Sequence, residues 1–245
     1  MRQRLDQELV ARGLARTRAQ ARDLILRREV VVAGQAADKP SQPVTAETEI
    51  TVTGNNAHYV SRGALKLIAG LDAFGFEPAG RTAIDVGAST GGFTQVLLER
   101  GAAKVYAVDV GRNQLHQELD NDPRVAKLEA TDIRELSSDS VQGPVTALVA
   151  DVSFISLKKA LPAVLDLAAP GAWLIALVKP QFEVGREAIG KGGIVRDLAL
   201  RQAAVEDIGA WIKAQGVWTL AGIIDSPISG GDGNKEYLLG ATRHG

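Results

Sequence analysis

Three aspartates stand at the ends of strand-like segments, and a glycine-rich turn follows the first of them. Asp85 opens the stretch DVGASTGGFT, Asp109 ends KVYAVDV, and Asp132 follows the next strand-like run. The carboxyl ends of parallel strands meet at one edge of a sheet, where doubly wound folds bind their ligands. Carboxylates at that edge repel a phosphate and attract a cation. The sequence therefore favours a ligand that carries positive charge.

S-adenosylmethionine meets this requirement, since it joins a charged sulfonium and amino group to a ribose and an adenine. We expect Asp109 to accept hydrogen bonds from the ribose hydroxyls and Asp132 to meet the adenine amino group. Two alternatives for the turn stay open: a dinucleotide site, which Asp85 disfavours because it would repel pyrophosphate, and a turn that is only packed. The predicted cofactor-binding residues are Asp85, Gly87, Ser89, Gly91, Gly92, Phe93, Asp109 and Asp132.

Asp151 and Lys179 are predicted at two further strand ends, side by side above the same edge of the sheet. A lysine beside a cationic ligand is an unusual choice unless its amine takes part in the chemistry. Burial and a second cation, which Lys66 could supply, favour a neutral amine that can accept a hydroxyl proton. Asp151 would hold that amine in place. The sequence contains no cysteine, which excludes the cysteine nucleophile that cytosine-C5 and uracil-C5 transferases commonly use.

A resemblance to known families extends this interpretation over essentially the whole chain. Lys66 in SRGALKL, Asp151 in VADVSF, Lys179 in LVKPQF and Glu236 in GNKEYLL resemble the Lys-Asp-Lys-Glu tetrad of FtsJ-like ribose 2′-O-methyltransferases. The N-terminal RLDQELVARGLARTRAQA resembles the alpha-L RNA-binding motif. Its fusion to DVGASTGGFT, NDPRV and LVKPQFEVG is similar to the TlyA family, also labelled haemolysin A. One departure is GASTGGFT, where many FtsJ-like proteins have Ala-Pro-Gly-Gly.

The resemblance implies a function and roles for the tetrad. It implies transfer of a methyl group from S-adenosylmethionine to cytidine 2′-hydroxyls of ribosomal RNA in the large subunit, and in some members also in the small subunit. Lys179 would be the general base, and Glu236 would orient Lys66 or the ribose. Two other classes of function stay open: a non-catalytic RNA-binding or ribosome assembly factor, and a membrane-active haemolysin.

Apolar runs that alternate with helical patterns predict an α/β class. We expect a Rossmann-like methyltransferase fold with a seven-stranded, mostly parallel sheet, an antiparallel last strand and a small N-terminal α+β RNA-binding domain. The expected domains are 1–55, a linker at 56–63, and 64–245. The strands of the sheet are predicted at 82–86, 104–110, 125–130, 145–151, 173–179, 218–224 and 237–242. The helices of the same region are predicted at 62–74, 91–100, 112–120, 156–168 and 197–215. The glycine-rich loop 183–197 has no clear structure in the sequence and is expected to close over the substrate.

The N-terminal segment carries an excess of positive charge. Residues 1–28 contain eight arginines and three acids, a net charge of +5, which leaves −6 for the rest of the chain. A helix ending near Gly13, a second helix at 17–28 with Thr17 as N-cap, and β runs at 30–34 and 49–54 are predicted there. A polar stretch joins the two β runs. The predicted RNA-binding residues are Arg4, Arg16, Arg18, Arg22, Arg27 and Arg28.

Amino-acid composition gives evidence against a membrane, secreted or metal-binding protein. No apolar run approaches the roughly 18 residues of a membrane span, and no signal peptide is recognisable, so a cytoplasmic protein is expected. The three histidines, His58, His116 and His244, have no metal-ligand spacing, and we expect no metal site.

Overall fold

The chain divides into two compact units, Met1–Ser61 and Arg62–Gly245. A computed structural model describes residues 2–15, 17–26, 28–53, 58–190, 192–230 and 233–245, apart from the side chains of Ala19 and Arg186. The division falls within the stretch 56–63, which the sequence predicts as a linker and whose first two residues lie outside the described ranges.

The first unit contains two short helices in its N-terminal half, as the sequence predicts. Gly13 follows the first helix with a φ of 70°, the left-handed conformation that ends many helices. Thr17 Oγ1 accepts a hydrogen bond of 3.1 Å from the Gln20 N–H and so caps the second helix. The elements of this unit are β1 (Gln3–Arg4), α1 (Leu5–Ala11), α2 (Arg18–Leu26), β2 (Val30–Val32), β3 (Gln35–Ala36), β4 (Pro43–Val44) and β5 (Ile50–Val52).

The polar stretch between β2 and β5 contains structure that the sequence does not predict. Strand β3 pairs with β2, and β4 pairs with β1, both antiparallel. Strand β2 also pairs with β5. The two helices and these strands enclose a small core in which Leu5, Leu9, Leu24, Ile25 and Val30 are fully buried.

The second unit is built on one seven-stranded sheet, which confirms the predicted fold class. Its strand order is β11-β12-β10-β9-β6-β7-β8. The pairs from β10 to β8 are parallel, and β12 is antiparallel to both β10 and β11. The elements are α3 (Gly63–Phe74), β6 (Thr82–Val86), α4 (Gly92–Glu99), β7 (Lys104–Val108), α5 (Gln117–Asp120), β8 (Val125–Leu128), β9 (Val145–Ala150), α6 (Leu157–Ala160), α7 (Pro162–Leu167), β10 (Ala168–Val178), α8 (Pro180–Glu183), α9 (Leu198–Ala214), β11 (Trp218–Asp225) and β12 (Tyr237–Arg243).

The core of this unit lies along the parallel strands. Ile84, Leu148 and Leu174, from three neighbouring strands, are fully buried. Strands that are covered on both faces are continuous apolar runs rather than alternating ones. This burial fixes the register of the strands, and the register sets which residues emerge together at the carboxyl edge.

Two predicted helices differ from the structure. The helix expected at 112–120 is confined to Gln117–Asp120, because Asn113 has a φ of 54° and the chain before α5 forms a loop. The helix expected at 156–168 is divided into α6 and α7, and Pro162 begins the second of them. Proline has no N–H to continue a helical ladder but fits the first turn of a new helix.

Candidate active site

The glycine turn joins β6 to α4 and brings two strand ends close together. Gly87 has a φ of 81°, and a Cβ at this position would lie 2.6 Å from the backbone oxygen of Asp151. Gly91 has a φ of 97°, and its Cβ would lie 2.3 Å from the Leu119 side chain. Side chains at either position would force strain and a clash, so the turn requires glycine there. Gly92 and Phe93 are buried at the start of α4.

Asp85 lies beneath this turn and lines neither of the two cavities described below. Its side chain is fully buried, and Thr94 Oγ1 donates a hydrogen bond of 2.7 Å to Oδ2. Oδ1 has no hydrogen-bond partner among the described residues. Burial raises the pKa of Asp85 to about 7, and repulsion from Asp151 and Asp109 acts in the same direction, against the Thr94 hydrogen bond. The pKa of the Asp85 carboxyl group therefore lies near neutral pH.

Asp109 and Asp132 lie on the wall of a cavity of about 490 Å³ above the carboxyl edge of the sheet. The Ser89 and Gly111 N–H groups donate to the two oxygens of Asp109, at 2.8 Å and 2.7 Å. Each carboxylate oxygen has a second lone pair, so Asp109 can still accept bonds from a ligand. Asp132 pairs with Arg134, and that hydrogen bond lowers the pKa of Asp132 to about 2.

The lining of this larger cavity suits S-adenosylmethionine. Three carboxylates, those of Asp109, Asp132 and Asp151, are suited to positive charge and to ribose hydroxyls. Apolar side chains between them offer surface to an adenine ring. The apolar lining residues are Val86, Val108, Val110, Val152, Phe154, Ile133 and Ile155. Of the other predicted cofactor residues, Gly87 and Ser89 line the cavity, whereas Gly91, Gly92 and Phe93 lie outside its lining and shape the turn.

Lys179 and Asp151 emerge side by side, as their positions in the sequence predict. Asp151 directly follows β9, Lys179 directly follows β10, and these two strands are parallel neighbours. Lys179 Nζ lies 2.6 Å from Asp151 Oδ1 and donates a hydrogen bond of 2.9 Å to Ser153 Oγ. The contact with Asp151 lacks hydrogen-bond alignment and is an ion pair. The two side chains are 10% and 22% exposed.

Lys66 and Glu236 form the second pair of the tetrad. Lys66 lies on α3, Glu236 immediately precedes β12, and Lys66 Nζ donates a hydrogen bond of 2.6 Å to Glu236 Oε2. The side chains are only 9% and 3% exposed. Glu236 lines a second, smaller cavity, described next, and Lys66 does not, so Lys66 lies behind Glu236 as seen from that cavity.

A second cavity of about 260 Å³ lies beside the first. Ser153 and Phe154 line both cavities and form their common wall. Asp151 lines only the larger cavity, and Lys179 lines only the smaller one. The Asp151–Lys179 ion pair therefore connects the two cavities.

Two functional candidates in the common wall are absent from the sequence prediction. Ser153 holds the lysine amine. Phe154 is 92% exposed and has a φ of 66°, which is uncommon for a bulky residue. Its ring centre lies 5.2 Å from that of Phe182, which also lines the smaller cavity. The only signal in the sequence is an aromatic residue directly after a strand end, in ADVSFIS.

The loop 183–197 is more ordered than the sequence predicts. It contains a short 3₁₀ turn at Arg186–Ala188, and its Ile189 and Gly193 line the smaller cavity. The buried Asn234 side chain donates to the Gly193 carbonyl at 2.9 Å and accepts from the Val195 N–H at 3.1 Å. These bonds hold the loop against the cavity. Lys191 lies outside the described residues.

Comparisons with known proteins agree with this geometry. A family model for FtsJ-like methyltransferases matches residues 59–243, and one for the S4 domain matches residues 3–50. The chain is 48% identical over 239 residues to the Mycobacterium tuberculosis protein named 16S/23S rRNA (cytidine-2′-O)-methyltransferase TlyA, covering 97% of this chain and 89% of that protein. Hemolysin A of Brachyspira hyodysenteriae is 37% identical over 236 residues, covering 96% and 98% of the two chains. A solved structure from Streptococcus thermophilus, of a protein provisionally named a hemolysin, has 40% identity and a TM-score of 0.77, covering 99% and 89% of the two chains.

The chain belongs to the TlyA family of FtsJ-like methyltransferases. The family models match both units, since the FtsJ-like match spans the seven-stranded sheet and the S4 match spans α1 and α2. The predicted resemblance is confirmed.

The S4 unit of this TlyA family member holds some of its arginines by ion pairs. Arg4 and Arg18 both contact the buried Asp6, at 2.9 Å and 3.1 Å, while 46% and 57% of their side chains remain exposed. The Arg4 hydrogen bond lowers the pKa of Asp6 despite its burial. Arg22 and Arg28 are exposed. The predicted residues Arg16 and Arg27 lie outside the described ranges.

Arg12 shows the contrasting case of an arginine engaged within the protein. It pairs with Glu8 at 2.8 Å and donates to the backbone oxygens of Thr45, Ala46 and Thr48. These bonds join α1 to the segment before β5, so Arg12 stabilises the unit.

Within the described ranges, no helix is both long and apolar enough to cross a membrane. In that same part of the chain, no group of three or more histidine, aspartate or glutamate side chains is placed to hold a metal ion.

Proposed function

We propose that this chain transfers a methyl group from S-adenosylmethionine to the 2′-hydroxyl of a cytidine in ribosomal RNA. The target would be in the large ribosomal subunit, with the small subunit as a possible second substrate to be tested in the same assay. The observation that carries the proposal is the Asp151–Lys179 ion pair, 2.6 Å long, which connects the two cavities. The named activity of the Mycobacterium tuberculosis relative supports the choice of acceptor.

The larger cavity would hold the cofactor. S-adenosylmethionine supplies a reactive methyl group on its sulfonium. Asp109 would accept from the ribose hydroxyls, Asp132 would meet the adenine amino group, and Asp151 would face the positive charge. Ser89 and Gly111 donate their N–H groups to Asp109 and so fix the carboxylate in place before a ligand arrives. Such preorganisation lowers the cost of binding.

Lys179 would act as the general base on the acceptor. As a neutral amine, Lys179 Nζ would take the 2′-hydroxyl proton, and Asp151 would then stabilise the ammonium that forms. Ser153 holds the amine at the common wall of the two cavities, at 2.9 Å, and so orients it toward an acceptor in the smaller cavity. A positioned base typically contributes a factor of about 10²–10⁴ to the rate. Correct placement of the reacting atoms contributes further.

The Lys66–Glu236 pair would position the acceptor. Glu236 lines the smaller cavity, where its carboxylate can accept a hydrogen bond from the ribose. Lys66 holds that carboxylate from behind by a bond of 2.6 Å. This arrangement keeps a buried negative charge compensated while one side of Glu236 faces the cavity.

The S4 unit would bring the RNA to the site. Its exposed arginines can neutralise phosphates, which gives affinity that depends on salt and little on sequence. The exposed ring of Phe154 offers an aromatic surface to an unstacked base beside the smaller cavity. With ribosomal RNA as its substrate, the enzyme would work in the cytoplasm.

The test is transfer of tritium from labelled S-adenosylmethionine to ribosomal subunits that lack the modification, with each subunit assayed separately. The position of the label is then mapped by a method that detects 2′-O-methylation. We expect label on a cytidine ribose with the wild-type chain and little or none with Lys179→Ala. Label on a base, or equal transfer by Lys179→Ala, would refute the proposal.

A further inference from the structure

Glu129 holds a loop of the second unit by its carboxylate. It directly follows β8, and it accepts hydrogen bonds from three consecutive backbone N–H groups: those of Asn113 at 2.6 Å, Gln114 at 2.7 Å and Leu115 at 3.0 Å. Asn113 has a φ of 54°, and this left-handed residue turns the three N–H groups toward one point. These bonds lower the pKa of Glu129, and the bond from the Leu115 N–H has the largest effect.

The same two segments are joined by backbone hydrogen bonds on either side of Glu129. The Asp109 N–H donates to the Leu128 carbonyl at 3.1 Å, and the Thr131 N–H donates to the Asp109 carbonyl at 3.0 Å. The Ala130 N–H donates to the Gly111 carbonyl at 2.8 Å. Residues 109–111 are thus fixed by backbone hydrogen bonds and by the Asp109 carboxylate, which accepts from the Gly111 N–H, without Glu129. Residues 113–115 depend on the Glu129 carboxylate.

The loop that Glu129 holds forms a wall of the larger cavity. Val110 and Gln114 line the cavity on either side of Gly111. The Gln114 side chain lies directly over Gly111, where a Cβ would be only 1.8 Å from Nε2. Beyond the loop, the His116 N–H donates to the Thr90 carbonyl of the glycine turn at 3.2 Å. The loop therefore links the residue predicted to hold the ribose, Asp109, to the glycine turn.

We propose that Glu129 is a positioning residue for the adenosine part of the cofactor, because it fixes the loop 110–116 as a wall of the cofactor cavity. Glu129 does not line the cavity, so it acts through Val110 and Gln114. Loss of Glu129 therefore weakens cofactor binding. The Lys179–Asp151 pair follows other strands, so the transfer step at saturating cofactor stays nearly unchanged. This inference rests on the proposed function.

The test compares the wild-type chain with Glu129→Gln and with Asn113→Val, which disturbs the same contact from the loop side. Calorimetry measures the dissociation constants of S-adenosylmethionine and S-adenosylhomocysteine, and steady-state transfer to ribosomal subunits separates KM for the cofactor from kcat. We expect both constants and KM to rise by roughly tenfold or more, with kcat within about threefold. Hydrogen exchange reports the loop directly: amides 113–115 lose protection, and those of β7 keep it. The matched control for loss of one charge is Asp139→Asn, since Asp139 is exposed and no bond to it is seen among the described residues.

The outcomes separate the two proposals. A wild-type chain that binds no S-adenosylmethionine overturns the proposed function. A wild-type chain that binds it, with both variants binding within about twofold of wild type although amides 113–115 exchange faster, overturns the role of Glu129 alone. Equal losses in kcat and in affinity in both folded variants would also overturn it, because the residue would then act on the transfer step.

Discussion

The two lysine–carboxylate pairs of the tetrad are equally short, at 2.6 Å, but they lie in different surroundings. Lys66 and Glu236 form the more closed pair, with side chains 9% and 3% exposed and an aligned hydrogen bond between them, although Glu236 lines the smaller cavity. Asp151 is 22% exposed, lies on a cavity wall, and contacts Lys179 without that alignment. Lys179 in turn donates its aligned hydrogen bond to a serine hydroxyl.

This difference indicates how the tetrad divides its work. A buried, aligned pair is expensive to break and holds a geometry. A pair that opens to two cavities can exchange partners, so its amine can give up a proton to solvent and then accept one from the acceptor hydroxyl. We infer that Lys66–Glu236 positions the acceptor and that Asp151–Lys179 carries out the proton transfer. The predictions below test this division.

The largest effect, on the transfer rate, is expected from a change in the open pair, Asp151–Lys179. Asp151→Asn keeps the shape of the side chain but removes the charge that stabilises the ammonium of Lys179. We expect the transfer rate at saturating cofactor to fall by about 10²–10⁴, with little change in the thermal midpoint. Single-turnover assays with ribosomal subunits measure the rate. A fall of less than about threefold would remove Asp151 from the proposed proton-transfer step.

Loss of the closed pair, Lys66–Glu236, should lower the free energy of unfolding. Lys66→Met leaves Glu236 buried without its cation, and breaking such a pair costs about 3–5 kcal/mol. Denaturant unfolding measures the loss. The double variant Lys66→Met, Glu236→Gln removes both charges and should recover a large part of it. If Lys66→Met unfolds at the wild-type denaturant concentration, the closed pair has no structural role.

An intermediate effect is expected at the common wall of the cavities. Phe154→Ala removes an exposed ring beside the open pair, and stacking of a base on an aromatic ring is worth about 1–3 kcal/mol. We expect weaker RNA binding and an unchanged affinity for S-adenosylmethionine. Phe154→Trp keeps an aromatic surface and should retain most of the binding. Equal RNA affinity of the alanine and wild-type chains in filter binding would refute a role for the ring.

The smallest effect concerns Asp85, a fully buried carboxyl group for which no ion pair is seen among the described residues. Its pKa is raised from 3.8 to about 7 by burial, so between these values the folded state holds a proton that the unfolded state has lost. The contribution of Asp85 to the free energy of unfolding therefore falls as pH rises from about 4 to about 7. Asp85→Asn cannot titrate at this position. The free energy of unfolding of the wild type minus that of the variant should therefore fall as pH rises across that range. A difference that is independent of pH would contradict the raised pKa.

The sequence was sufficient to predict the pieces of the site that depend on strand order. Parallel strands end at one edge, so residues that follow β9 and β10 meet there, and Asp151 and Lys179 do so. Capping chemistry is equally local, and Thr17 and Gly13 behave as their residue types indicate. These features follow from the strand order of one sheet and from local rules for the ends of helices.

Other features depend on contacts between distant segments. The apolar spacing at 112–120 favours a helix, but the Glu129 carboxylate stabilises a left-handed turn at Asn113 instead. The bonds of Asn234 to Gly193 and Val195 cross about forty residues of sequence. Asp85 was expected beside the ligand, yet the structure buries it under the turn with Thr94. No local pattern in the sequence indicates these contacts between distant residues.

The most direct measurement uses the absence of cysteine from the chain. Lys179→Cys introduces a single thiol, and its thiolate displaces bromide from 2-bromoethylamine to restore an amine at nearly the lysine position. The account predicts that Lys179→Cys transfers methyl groups at least about a hundredfold more slowly than wild type, and that the aminoethylated protein regains a large part of the rate. The same variant treated with iodoacetamide, which adds a neutral amide, should stay inactive. Wild-type transfer by untreated Lys179→Cys, or equal recovery with the amide, would contradict the role of the amine as the base.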